Sequence, residues 1–258
     1  MKNLPLLETF FQKPLLSLDE LQSSGFGLEE KMFVSLGGGI GSFSWVNSLR
    51  VHAVVPNNIA VIAQHRLPYQ QFKTYCDHSG LTPQDRLRSD SGARPDNLWG
   101  FPGYAVSEFV ENLQAGKWLA AGKIAGQIFT EPFGCDFYTP TAGRVYASLD
   151  REMARMGWSS MLRQGTALFL RKLSDGRFAI FYQEPSHHIC VIIANIVHLA
   201  LGHTVRRPDY LHSLTTELKT VQVLSGYELQ EDFFRTVEET DALVVVVGRG
   251  IVDRKSVV

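Results

Sequence analysis

Cysteine is scarce in this chain of 258 residues: Cys76, Cys135 and Cys190 stand far apart, with no C-x-x-C pair among them. That spacing gives no disulfide framework, no zinc ribbon and no thioredoxin-like redox centre. Charge of either sign is also unconcentrated. The formal net charge is −1 and no lysine or arginine run occurs, so there is no electrostatic footprint for nucleic acid. Long apolar runs are missing as well. The longest, residues 189–201, is interrupted by Asn195 and His198 and falls short of the roughly 20 residues that cross a bilayer. The N-terminus carries only Lys2 before Leu4-Pro5-Leu6-Leu7 and then Glu8, which is not the pattern of a secretory signal. The expectation is a cytoplasmic protein acting on a small molecule, with neither nucleic acid nor membrane as partner and the oligomeric state open. One local absence matters later: no Asp or Glu occurs between Gly37 and Cys76.

What is present is ordinary globular composition, 45% hydrophobic and 20% charged, enough for one large domain or two small ones. Residues 1–31 read as a lead-in, with a short helix at 16–22 capped by Ser17 and ended by Ser23-Ser24-Gly25-Phe26-Gly27. Phe33-Val34-Ser35-Leu36 then reads as a short buried strand. The run Gly37-Gly38-Gly39-Ile40-Gly41-Ser42 reads as a tight turn. Phe43, Val46 and Leu49 follow at helical spacing. A second strand is expected at 59–63, set off by Pro56-Asn57-Asn58, which completes a βαβ unit. Residues 66–142 are rich in proline, glycine and aromatics and read as ordered loop with short helices. A helix at 145–156, a β-hairpin formed by 167–173 and 177–182 about Ser174-Asp175-Gly176, and one or two buried strands in 189–201 come next. A helix at 232–240 precedes an apolar strand at 242–247, which runs into Gly248-Arg249-Gly250.

A strand, a glycine turn and a helix form the context in which a dinucleotide fingerprint has physical meaning. The first glycine permits the turn, the second lets the backbone approach a diphosphate, and the third keeps helix and strand close. Gly37, Gly39 and Ser42 fall in these slots, with Gly38 and Gly41 as extra glycines. The acid that ordinarily accepts the ribose hydroxyls at the end of the second strand is missing. Gln64 or His65 holds its place, with Arg66 next. Gln64 can still bond a ribose, whereas Arg66 would favour a 2′-phosphate. Alternatively, both simply lie at an exposed strand end.

Four pieces in order resemble the two-dinucleotide-domain flavoproteins, especially the flavin-dependent monooxygenase and pyridine-nucleotide oxidoreductase group. They are the Gly37–Ser42 turn; Arg86-Leu87-Arg88-Ser89-Asp90-Ser91 followed by Trp99-Gly100-Phe101-Pro102-Gly103-Tyr104; residues 196–202 ending in Ala200-Leu201-Gly202; and residues 244–250. In the third piece Leu201 stands where that group usually has threonine. The resemblance implies a Rossmann-like α/β fold with a parallel central sheet, an antiparallel β-hairpin element and the start of a second dinucleotide-binding domain. It implies FAD as the tightly held cofactor and NAD(P)H as reductant. The residues implied at the cofactors are Gly37, Gly38, Gly39, Ile40, Gly41, Ser42, Phe43, Gln64, His65, Arg86, Arg88, Ser89, Asp90, Ser91, Trp99, Leu201, Gly202, Gly248 and Gly250. Arg86 and Arg88 have a second reading as loop ion pairs. No catalytic acid or base carries over.

The corresponding layout is a lead-in at 1–31, an FAD-binding domain at 32–204, a connection with the first strand of a truncated NAD(P)-binding domain at 205–252, and a non-native tail at 253–258. The tail, Asp253-Arg254-Lys255-Ser256-Val257-Val258, coincides with the translation of a widely used sequencing adapter. The expectation is therefore a natural gene continuing past Val252, the alternative being a chance tail on a short protein. Two other functional readings stay beside the flavoprotein: an NADP-dependent reductase without flavin, and a non-catalytic nucleotide-binding module. Tyr69 and Lys73 match a Tyr-x-x-x-Lys pair but stand too early in the chain for a short-chain dehydrogenase. His187, His188, Cys190, His198 and His203 raise a metal site for which no carboxylate is at hand. A hydrolase has no G-x-S-x-G elbow to rest on, and Asp150-Arg151-Glu152 reads as a solvated helix face.

Overall fold

The computed structural model describes residues 4–87, 103–130 and 138–202, together with Arg235, Glu239 and Thr240. The chain divides into two compact units, Met1–Lys73 with Arg151–Thr204 and Thr74–Asp150 with Val205–Val258. In chain order the elements are α1 (Leu4–Gln12), β1 (Leu15–Leu16), α2 (Leu18–Ser23), β2 (Gly27–Leu36), α3 (Ile40–Val51), a 3₁₀ turn (Pro56–Asn58) and β3 (Ile59–Ala63). There follow α4 (Gln70–His78), α5 (Gly103–Gln114), α6 (Trp118–Thr130), α7 (Ala142–Met156) and α8 (Trp158–Met161). The last strands are β4 (Leu162–Gln164), β5 (Thr166–Leu173), β6 (Phe178–Gln183) and β7 (Ile189–Leu199). No helix among the described residues is long and apolar enough to cross a membrane.

The first unit is built on one seven-stranded sheet in the order β1-β5-β6-β7-β2-β3-β4. β2 lies between β3 and β7 and is parallel to both, with Phe33 to Leu36 beside Ile59 to Ile62 and Gly27 to Leu36 beside Cys190 to Leu199. β3 is buried at every position, as a parallel strand covered on both faces must be. The β5–β6 hairpin turns at Gly176, whose φ of +92° favours a residue without Cβ. It does not stand apart from the parallel strands, because β6 continues antiparallel onto β7. The fold is thus a Rossmann-like α/β arrangement with an antiparallel extension in the same sheet.

Residues expected as a lead-in are built into this unit. Phe10, Leu16, Leu21 and Phe26 are buried in one cluster with Phe181, Val191 and Ile193. The Phe10, Phe26 and Phe181 ring centroids lie 5.8–6.2 Å apart, tilted or edge-on. Leu16 is not in the helix expected there but in β1, paired with Leu173 of β5. The helix starts two residues later because Ser17 caps it and Glu20 reaches back to the Ser17 amide at 2.9 Å, completing a capping box.

In the second unit, α5 and α6, 12 and 13 residues long, are longer than the short helices expected of that stretch, whose residues 88–102 and 131–137 lie outside the described residues. The helix and strand expected at 232–240 and 242–247, like the tail at 253–258, lie outside the described residues except at Arg235, Glu239 and Thr240.

Candidate nucleotide site

The glycine run fills the gap between the ends of three parallel strands. The Gly37 N–H donates to Ile62 O at 2.9 Å, and the Ala200 N–H donates to Leu36 O at 2.8 Å. Gly37 has φ +101°, and a Cβ there would stand 2.0 Å from the Ala200 carbonyl oxygen. A Cβ on Gly38 would stand 2.3 Å from Ala63 Cβ on β3. The fold itself therefore demands these two glycines. Gly39 and Gly41 differ: a Cβ on either meets nothing within 4 Å among the described residues. Gly39 is the N-cap of α3, has ordinary extended backbone (φ −78°, ψ −173°), and no side chain among the described residues caps that helix.

The helix begins at Ile40, three residues earlier than the apolar spacing indicates, so its first turn is made of the glycine run itself. Such an end presents backbone N–H groups and the positive end of the helix dipole, the usual setting for a bound phosphate.

Beneath the turn runs a chain of hydrogen bonds. The fully buried Ser42 hydroxyl donates to Gly37 O at 2.6 Å, and the Ser35 hydroxyl donates to Ser42 Oγ at 2.9 Å. His198 Nδ1 lies 3.1 Å from Ser35 Oγ. This contact extends the chain from the turn to β7. The His198 ring stacks on Trp45 with centroids 4.7 Å apart, and Trp45 meets Phe33 edge-on.

Sequence reading finds Ser42 as a small residue in the third slot and misses its second task, holding the Gly37 carbonyl on the buried side. His198, weighed for a metal, is instead a positioning group. A serine at Ser35 inside a buried strand was the legible signal, since a buried hydroxyl needs a partner. Among the described residues no group of three or more His, Cys, Asp or Glu is placed to hold a metal. Cys190 and His198 sit on the same strand, eight residues or about 26 Å apart.

Other expected positions sort clearly. Ile40 is half-buried in the first turn of α3. Phe43 faces inward against Trp158, with ring centroids 5.5 Å apart, so its side chain belongs to the core and not to a ligand. Leu201 is 71% exposed, and Gly202 has φ +72°. The residues ending β7 do come beside the glycine turn, through the Ala200 contact with Gly37.

Gln64, His65 and Arg66 are exposed at the end of β3. Gln64 Nε2 donates to Thr166 Oγ1, Gln164 Nε2 donates to Gln64 O and Arg66 Nε donates to Gln164 Oε1, each at 3.2 Å. Gln64, Gln164, Gly165, Thr166, Gln183, Glu184, Pro185 and His187 line a cleft of about 240 Å³ at this end of the strands.

Arg86 belongs to the second unit. Its guanidinium pairs with Glu108 at 2.6 Å, donates to Thr139 O and lies 5.3 Å above the Tyr138 ring. Arg144 also pairs with Glu108, at 3.3 Å, and the buried Tyr138 hydroxyl donates to the same carboxylate at 2.7 Å. Burial and then the Glu108 hydrogen bond push the Tyr138 phenol above its ordinary range. Of the two readings of Arg86, the loop ion pair is the one observed. Arg88, Ser89, Asp90, Ser91, Trp99, Gly248 and Gly250 lie outside the described residues.

No protein-family model matches the chain, and no curated protein matches it. Among solved structures it is similar to bacillithiol disulfide reductase from Bacillus cereus, at 12% identity and TM-score 0.40 over 67% of this chain and 40% of that one. Ornithine hydroxylase from Pseudomonas aeruginosa is similar at 12% identity and TM-score 0.45, over 73% and 43% of the two chains. L-lysine 6-monooxygenase from Pseudomonas syringae is similar at 16% identity and TM-score 0.29, over 77% and 42%. The chain thus spans less than half the length of each. At such identities and TM-scores these likenesses carry no weight for its chemistry.

Proposed function

We propose that the turn from Gly37 to Ser42 binds the diphosphate of FAD, and that the chain carries the FAD-binding part of an NAD(P)H-linked oxidoreductase, monooxygenase-like in its motifs. One observation carries this reading. Gly37 and Gly38 are required by the backbone around them, but a Cβ on Gly39 or Gly41 meets nothing among the described residues. Both open onto the uncapped start of α3, and a ligand that needs close approach to the backbone there supplies the missing reason.

In this reading the N–H groups of the first turn of α3 hold the phosphate oxygens. The dipole of the helix adds about 0.3–1 kcal/mol for each charge at its end, more where the site is partly buried. Ser42, Ser35 and His198 keep the Gly37 carbonyl engaged on the buried side, so that a negative oxygen does not compete for the same space. Ala200, through its contact with Gly37, sets the distance between β7 and the turn. The residues present fit a dinucleotide at its diphosphate; at the ribose, the end of β3 offers Gln64 in place of a carboxylate. The bound flavin would supply the electron transfer itself, with NAD(P)H and a small-molecule substrate as its partners.

A second reading, an NADP-dependent reductase without flavin, draws on Arg66, an exposed cation two residues after Gln64. The test is colour. Purified protein with flavin absorbance, releasing FAD on denaturation, is the expected outcome. Colourless protein that binds NADP and rejects FAD would replace the first reading with the second.

A further inference from the structure

We infer that Glu184, at the end of β6, is the carboxylate that bonds the ribose hydroxyls of the adenosine moiety, in the cleft it shares with Gln64, Gln164 and Thr166. This rests on the proposal that the glycine turn binds a dinucleotide. The cleft lies where the other half of such a ligand must go. Ala63, the last residue of β3, packs against Gly38 of the turn, and Gln64 in the cleft is the very next residue.

What brings a β6 residue to the end of β3 is Gly165. Its N–H donates to Ala63 O at 2.9 Å, tying it to β3. On its other side a Cβ would stand 2.5 Å from Gln183 O and 3.0 Å from Tyr182 Cδ2. Only a residue without a side chain lets β6 come this near. Glu184 follows Gln183 directly, is half-buried, and begins a tight turn in which His187 N–H donates to Glu184 O at 2.9 Å. The Glu184 carboxylate accepts from the Ser186 hydroxyl at 3.2 Å and from the Cys190 thiol, and its two oxygens together can accept further bonds.

Ligand chemistry follows from the lining. Gln64, Gln164 and Thr166 are neutral hydrogen-bonding groups, and Glu184 is the acid among the residues that line the cleft. A carboxylate accepts from a ribose diol and repels a phosphate on the 2′ oxygen. The site should therefore select adenosine with a free 2′-hydroxyl, as in FAD, over the 2′-phosphorylated form.

The test is calorimetric titration of the full 258-residue chain and its Glu184→Gln variant with ADP, 2′-deoxy-ADP and adenosine 2′,5′-bisphosphate. A charge-assisted hydrogen bond is about twice as strong as a neutral one, so Glu184→Gln should weaken ADP roughly tenfold. It should weaken 2′-deoxy-ADP less, through the 3′-hydroxyl alone, and tighten the 2′-phosphorylated ligand. The isosteric change keeps volume and turn, and a thermal melt matching the wild type establishes the fold. Equal weakening of ADP and 2′-deoxy-ADP, or no change in either, would overturn the role of Glu184 while leaving the dinucleotide reading intact. If the wild type binds no adenine nucleotide, both fail together.

Discussion

At the scale of single residues, the glycines of the turn divide by what a methyl group would meet, and this makes them separable by mutation. Gly37→Ala places Cβ 2.0 Å from a backbone carbonyl at φ +101°. The strained backbone alone costs on the order of 1–3 kcal/mol, before any displacement of β7. Chemical denaturation should show a loss of at least that size, with or without nucleotide. Ser42→Ala removes the donor to Gly37 O and strips Ser35 of its acceptor in a buried site. We expect it to cost about 1–3 kcal/mol in the same measurement. A value near zero would mean that the hydroxyl chain does not hold the turn.

Much of this site was legible: Gly37, Gly39 and Ser42 stand in the slots the fingerprint assigns. The division among the glycines was not, because it depends on Ala200 and Ala63, which reach the turn from other strands. Glu184 was illegible for the same reason. An acid some 120 residues beyond β3 becomes its neighbour only through the approach that Gly165 permits.

At the scale of elements, β3 was read more accurately than β2, which was expected at 33–36 and runs from Gly27 to Leu36. β3 was expected at 59–63 and is found there, bounded by the 3₁₀ turn at Pro56 and by polar Gln64. α6 was not foreseen. Its glycines at 122 and 126 weaken helix propensity, and only Ala121 and Ile124 are buried, too few to set a clear apolar period.

The edge of the sheet carries its own prediction. Arg163 on β4 pairs with Glu29 on β2, its Nε and Nη2 donating to the two carboxylate oxygens at 2.8 and 2.6 Å. The Arg163 hydrogen bonds hold the Glu29 carboxyl below its ordinary range, opposed by partial burial. A lowered folded-state pKa gives stability that is complete above the unfolded value of about 4.3 and is lost as pH falls through the folded one. The pair is partly exposed, so its contribution is about 1 kcal/mol at most. Unfolding measured from pH 7 down to pH 3 should show a shallower acid limb for Glu29→Gln than for the wild type. Identical limbs would mean that the bridge adds nothing to the acid sensitivity.

At the scale of the whole molecule, the sheet unit explains the Rossmann-like arrangement and where a dinucleotide would enter it. Two parallel neighbours of β2 bring their carboxyl ends to the glycine turn, and the antiparallel β5–β6 hairpin adds a polar wall to the cleft at the end of β3. The ordering of strand, turn and helix was readable because each is a local pattern. That the first thirty residues and the hairpin join the same sheet was not, since both depend on pairings between distant segments.

The central claim is that Gly39 is glycine for the sake of a ligand, and FAD titration into wild type and Gly39→Val tests it most directly. Because a Cβ at Gly39 meets nothing within 4 Å among the described residues, the variant should melt within a few degrees of the wild type while losing FAD affinity by tenfold or more, roughly 1.4 kcal/mol. Equal FAD affinity in two equally stable proteins would contradict the account, as would a wild type that binds no FAD at all.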